Sequence, residues 1–129
     1  MYDFTYHRAS SVADAVSQVG GADDGSFLAG GHTLLPTLKL RLAQPSDLVD
    51  LQGIGDLKGI SASGDGVTVK AMTTHASVAG SADVQKAIPA LASLAGGIGD
   101  PHVRARGTIG GSIANNDPAA DYPAAVVGL

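Results

Sequence analysis

Over the first fifty residues the apolar positions switch repeatedly between strand and helix spacing, and this alternation leaves few ways to fold. DFTYHR (3–8) alternates as a short strand does. SSVADAVSQV (10–19) places Val12, Ala15, Val16 and Val19 at i, i+3, i+4 and i+7, a helical face. Ser10 or Ser11 can cap that helix, and Gly20–Gly21 ends it. SFLA (26–29) reads as a buried strand. TLLPTLKLRL (33–42) returns to helical spacing at Leu34, Leu35, Leu38 and Leu42. Pro36 falls in the first turn, where its missing N–H costs nothing. SDLVDL (46–51) closes the series as a third strand. A β-α-β-α-β order predicts a small parallel sheet, because parallel neighbours need a crossover and the helices supply it.

From residue 56 the pattern changes, which sets a boundary between a segment 1–55 and a segment 56–129. LKGISAS and GVTVKAMTT flank GDG (64–66), a hairpin signal between runs with β-branched residues. HASVAGSADVQKA predicts one or two short helical turns. Pro89 opens a helix through IPALASLAGG, apolar at Ile88, Leu91, Ala92 and Ala95. Residues 97–121 read as loop-rich. DYPAAVVGL reads as a helix just beginning at the last residues, so the second segment is expected to be an incompletely represented domain.

Glycine is over-used, at 18 of 129 residues, and the surplus clusters at 20–21, 30–31, 96–97 and 110–111. LAGGHTLLPTLKL (28–40) and GTIGGSIANNDPAAD (107–121) share one layout. Each has an aliphatic residue, two glycines, a hydroxyl or small polar residue, then an apolar stretch. A phosphate needs several N–H groups converging on its oxygens, and glycine permits the close approach. Two such turns could grip a pyrophosphate. One Gly-Gly pair alone is more often an ordinary turn or helix cap; the repetition puts the binding reading on an equal footing. No G-x-x-x-x-G-K-[ST] is present, and GGIGDPHVRARG does not supply G-x-G-x-x-G after a strand. Asp121 suits a ribose or ribityl hydroxyl better than a phosphate, whereas Asp117, before Pro118, suits a turn.

Other chemistries are excluded. A net charge of −4 with only eight Lys and Arg argues against a nucleic-acid surface. Arg104 and Arg106, a local basic pair, could serve a single small anion. Without cysteine the chain carries no disulfide, thiolate zinc or iron–sulfur cluster of its own. No apolar run spans a membrane and MYDFTYHRAS is too polar for a signal peptide, so a cytoplasmic location is expected. His7, His32, His75 and His102 lack metal-ligand spacing; only His32 falls at a candidate site. No Ser–His–Asp arrangement or H-E-x-x-H is evident.

AGGHTLLPTLKLRLAQPSDLVDL (29–51), AMTTHASVAGS (71–81) and DPHVRARGTIGGSIANNDPAADYPAA (100–125) resemble the FAD-binding medium subunits of molybdenum hydroxylases. The resemblance is above all to the medium subunit of aerobic carbon monoxide dehydrogenase, and more distantly to the xanthine dehydrogenase flavin domain. It implies an α+β (α/β) fold of the p-cresol methylhydroxylase FAD-binding type. Residues 1–55 would form the N-terminal FAD-binding subdomain and 56–129 the start of the second. Ala29, Gly30, Gly31, His32 and Thr33 match the family segment that wraps the FAD pyrophosphate, and Thr108, Ile109, Gly110, Gly111 and Ser112 match its partner. Asp121 matches a carboxylate contacting the flavin nucleotide, and Ile98 falls where some relatives carry an aromatic FAD neighbour. Ser112 departs from the usual Asn, with a shorter reach.

The resemblance further implies an oxidoreductase subunit with no catalytic acid or base, inactive as an isolated segment. A large molybdopterin-binding subunit would hold the molybdenum cofactor, and a small subunit the 2Fe–2S clusters, in a dimer of heterotrimers. FAD would pass their electrons to an external acceptor. A stand-alone flavin oxidoreductase and a non-enzymatic nucleotide- or phosphate-binding module remain alternatives.

Overall fold

A computed structural model describes residues 1–64 and 66–129, and the chain divides into two compact units, Met1–Asp56 and Leu57–Leu129. The first unit is built on a three-stranded sheet of β1 (Thr5–Arg8), β2 (Gly25–Leu28) and β3 (Asp47–Asp50). All pairings are parallel, in the order β1-β3-β2. The last strand in the chain is therefore the central one: Thr5 and Gly25 both pair with Asp47, and Arg8 and Leu28 both pair with Asp50. Centrality decides burial. Leu48 and Val49 are buried, whereas Phe27 on β2 is 45% exposed. The expected buried strand at 26–29 is thus an edge strand, because it has a neighbour on one side only.

Helix α1 (Val12–Gly20) packs on β2 and β3. Ser11 Oγ accepts from Asp14 N at 3.1 Å, and the Asp14 carboxylate in turn accepts from Ser10 N at 2.8 Å and Ser10 Oγ at 3.0 Å. This reciprocal cap holds the Asp14 carboxyl below the usual carboxylate range. Ala15 is buried, while Val12 and Val16 stay exposed, because strands of four residues are too narrow to cover the whole apolar stripe.

Helix α2 (Leu34–Lys39) is shorter than the expected 33–42. Arg41 adopts a left-handed φ of 58°, with Arg41 N bonded to Leu38 O and Leu42 N to Thr37 O. That pair of bonds is a Schellman closure, and it turns Leu42 out to solvent at 74% exposure.

The second unit begins with an antiparallel hairpin, β4 (Ile60–Ser63) and β5 (Gly66–Val69). Asp65, in the GDG of the expected turn, lies outside the described residues. Helices α3 (His75–Gly80), α4 (Ala82–Ala87) and α5 (Pro89–Gly97) follow, α5 packing against both of the others. Val78, Val84, Ala92, Ala95 and Tyr122 form the core.

Residues 97–121 are more helical than expected. They contain α6 (Pro101–Arg106) and α7 (Ile109–Asn115), followed by α8 (Asp121–Gly128). Asp100 Oδ1 accepts from His102 N at 2.8 Å and Val103 N at 2.9 Å, with Pro101 at the first helical position. Thr108 Oγ1 accepts from Gly111 N at 3.2 Å. Asp100, Pro101 and Thr108 are helix-start residues whose effect outweighs the nearby glycines.

Candidate cofactor site

The first glycine turn leaves the carboxyl end of β2, the end of parallel strands at which α/β sheets bind ligands. Gly31 has φ +80°, open to glycine at little cost, and a Cβ there would stand 2.9 Å from Leu35 Cδ1. Gly31 O accepts from Leu35 N at 3.0 Å, and Thr33 O accepts from Thr37 N and Thr37 Oγ1. The carbonyls are thus committed to starting α2. Among the described residues, the N–H groups of Gly30, Gly31, His32 and Thr33 have no acceptor. Ala29, Gly30 and Gly31 are half-buried, and His32 and Thr33 are exposed. Consecutive open donors flanked by glycine can receive an anion's oxygens.

The second glycine segment is organised differently. It is the first turn of α7, and its donors are taken. Ile109 N bonds to Thr73 O at 3.1 Å, Gly110 N to Ala71 O at 2.8 Å, Gly111 N to Thr108 Oγ1 and Ser112 N to Thr108 O at 3.0 Å. A Cβ on Gly110 would meet Ala71 Cβ at 2.6 Å and Ala71 O at 2.7 Å. Gly110 is bare because another stretch of backbone lies against it. The expectation of a second cradle of open N–H groups is corrected here: each finds its partner within the chain.

The other candidates occupy distinct settings within the second unit. Thr108 is buried, at 4% exposure, and caps α7. Ile109 and Ile98 are half-buried against the core, and Ser112 is half-buried on α7. Asp121 is exposed at the first position of α8. Asp117 organises a turn, its Oδ1 accepting from Ala119 N at 2.9 Å. Arg104 does not wait for an anion: its Nη1 donates to Ile98 O at 3.1 Å and Gly99 O at 3.2 Å, closing the end of α5. Among the described residues no group of three or more His, Cys, Asp or Glu could hold a metal ion.

Sequence reasoning passed over two clusters. Tyr6 Oη donates to Asp50 Oδ2 at 2.6 Å and Gln52 N to Asp50 Oδ1 at 2.8 Å, at the same sheet end as the first turn. Asp50 is only 8% exposed, and accepting this bond raises the Tyr6 phenol above its usual range. The apolar run interrupted by Asp50 in LVDL was the available signal. In the second unit, His75 and Tyr122 are buried with ring centroids 5.2 Å apart. Burial, with the Asp121 charge adding to it, pushes the Tyr122 phenol up to about 12.

The family model described as "FAD binding domain in molybdopterin dehydrogenase" matches residues 2–129. The chain belongs to this family. It is 48% identical over 122 residues to the carbon monoxide dehydrogenase medium chain of Hydrogenophaga pseudoflava, covering 94% of this chain and 42% of that one. It is 37% identical over 124 residues to the nicotine 6-hydroxylase medium subunit of Paenarthrobacter nicotinovorans, covering 96% and 44%. Among solved structures, carbon monoxide dehydrogenase from H. pseudoflava lacking the Mo-pyranopterin moiety of its cofactor superposes with a TM-score of 0.93 at 47% identity. That match covers 96% of this chain and 44% of that one. Quinoline 2-oxidoreductase from Pseudomonas putida 86 gives 0.91 at 36% identity, covering 95% and 43%. The chain therefore spans less than half the length of these relatives. The α+β fold and the family expected from the glycine motifs both agree with these matches.

Proposed function

We propose that this chain binds FAD as part of the medium subunit of a molybdenum-containing hydroxylase of the carbon monoxide dehydrogenase type. Family membership supports this reading, and the observation that carries it is the row of open N–H groups from Gly30 to Thr33 at the carboxyl end of a parallel sheet. These donors fit a pyrophosphate, which needs N–H groups and tolerates no side chain pressed against it. The proposed contacts in the first unit are Ala29, Gly30, Gly31, His32 and Thr33. In the second they are Ile98, Thr108, Ile109, Gly110, Gly111, Ser112 and Asp121. There the Thr108–Ser112 segment presents a fixed surface, and the exposed Asp121 carboxylate is suited to accept from a ribose or ribityl hydroxyl. Residues 1–55 and 56–129 would be two FAD-binding subdomains.

When bound, FAD supplies the redox chemistry, accepting electrons from 2Fe–2S clusters and yielding them to an external acceptor. The chain's own part is to hold the diphosphate and fix the cofactor's orientation. Partners would be a large molybdopterin-binding subunit and a small 2Fe–2S subunit, in a cytoplasmic dimer of heterotrimers. No helix among the described residues is long and apolar enough to cross a membrane.

The test is to purify the chain from its native cells with whatever accompanies it, denature the preparation and identify the released flavin. FAD in a one-to-one ratio with the chain, beside a large and a small partner, is the expected result. Flavin without partners would favour a stand-alone oxidoreductase. A folded chain with neither flavin nor partners would refute the proposal.

A further inference from the structure

We infer that Gln52 is a positioning residue for the first glycine turn, setting the direction in which the Gly30 N–H points. This role rests on the FAD reading above and follows from the planarity of the peptide bond. Ala29 C=O and Gly30 N–H belong to one planar unit, and no cis bond occurs among the described residues, so the two groups point opposite ways. Gln52 Nε2 donates to Ala29 O at 3.4 Å, a long hydrogen bond. Held there, the carbonyl turns toward Gln52 and the Gly30 N–H turns away from it. On that side the N–H finds no acceptor among the described residues. Were the plane to rotate, the carbonyl oxygen would take the donor's place, and an anion would meet a negative end in place of a positive one.

Gln52 is itself held. Its backbone N–H donates to Asp50 Oδ1 at 2.8 Å, and the other carboxylate oxygen accepts from Tyr6 Oη at 2.6 Å. Leu51 N donates to Leu28 O at 3.0 Å, tying the same stretch to the end of β2. Asp50 thus braces the segment that carries Gln52 against β1, and Leu51 ties it to β2. A glycine turn lacks side chains to fix its peptide planes, so an external anchor costs less than strain within it.

The test compares FAD dissociation constants, by flavin fluorescence titration of the full chain, for the wild type, Gln52→Leu and Gln52→Glu across pH. Gln52→Leu removes the donor and is expected to weaken FAD binding roughly 3- to 10-fold at every pH. Gln52→Glu donates only when protonated, and its ionised form repels Ala29 O. Its dissociation constant relative to wild type is expected to fall toward one as pH drops through about 4 and to rise to about tenfold or more above pH 7. Asp50, Tyr6, Arg8 and His32, the other ionisable groups at this end of the sheet, are common to both proteins, so their effects cancel in that ratio. Amide hydrogen exchange at Gly30 in the FAD-bound chain is expected to follow the same profile. A ratio that stays flat with pH, or a Gln52→Leu protein binding as wild type does, overturns the inference while leaving the cofactor reading intact. A folded wild type that takes no FAD overturns both.

Discussion

Replacing Gly110 with alanine separates the structural account of the second glycine segment from a purely ligand-based one. The new Cβ would lie 2.6 Å from Ala71 Cβ, 2.7 Å from Ala71 O and 2.8 Å from Ala71 Cα. Two of these are backbone atoms, which cannot swing aside as the end of a flexible side chain does. Relief requires α7 to move off residue 71, which overpacking data put at about 1–3 kcal/mol. The same movement stretches the Gly110 N to Ala71 O bond, 2.8 Å long, and forfeits about 0.5–1.5 kcal/mol. Against this, alanine gains about 1 kcal/mol of helix propensity over glycine. The net expectation is a loss of about 2 kcal/mol without any cofactor present. For a unit of this size each kcal/mol moves the midpoint by about 4–8 °C. Gly96→Ala is the control, because its Cβ would meet only Ala79 Cβ at 3.8 Å, an ordinary contact, within α5. It is expected to be neutral or to gain up to about 1 kcal/mol. The assay is thermal unfolding of the full chain by far-UV circular dichroism, before and after FAD is added. If flavin-free Gly110→Ala melts with the wild type, the close approach to Ala71 is not what keeps this position bare.

Other perturbations test the remaining features. Gly31→Ala forces a side chain into φ +80° and toward Leu35, so a loss of about 1–2 kcal/mol is expected in denaturant titration, together with weaker FAD binding. Tyr122→Phe removes a buried hydroxyl that has no hydrogen-bond partner among the described residues, so the variant is expected to be about 1 kcal/mol more stable; a loss of stability would mean that the hydroxyl is satisfied. The Ser46 hydroxyl, then His7, hold the Asp47 carboxyl below its usual range. Its folded value being the lower, the stabilisation is present above the unfolded value of about 4 and is lost as pH falls through the folded one. Asp47→Asn should flatten the acid limb of stability against pH and leave the neutral region less affected.

The sequence and the structure agree most closely where side-chain period decides the outcome. The alternation of spacings through 3–51 produced the parallel sheet, and the paired runs around residues 64–66 produced the hairpin. Strand order was harder to see. Only the near-continuous burial of Leu48, Val49 and Asp50 marks β3 as central, and a four-residue run is too short to show it. Residues 97–121 carry Gly, Pro and Asn and read as loop-rich, although Asp100–Pro101 and Thr108 are also residues that begin helices. The first glycine turn stands where the sequence places it because the positive φ of Gly31 is a local preference. The second was found by pattern, but the partners of its Ile109 and Gly110 N–H groups, Thr73 and Ala71, come from more than thirty residues upstream. A separation of 23 residues hid Gln52 from Ala29 in the same way.

The strand order β1-β3-β2 also bears on the time course of folding. Neither outer strand can hydrogen-bond to the other, so both remain without a partner until residues 47–50 arrive. Thr5 waits across more than forty residues for Asp47, and closing a loop of that length before any pairing is gained makes nucleation slow. During synthesis the glycine turn at the end of β2 emerges well before the strand that orients it. A nascent chain halted short of Asp50 would hold the residues of that turn without its geometry, and on the proposed reading cofactor capture by this unit would follow, not guide, the closing of its sheet.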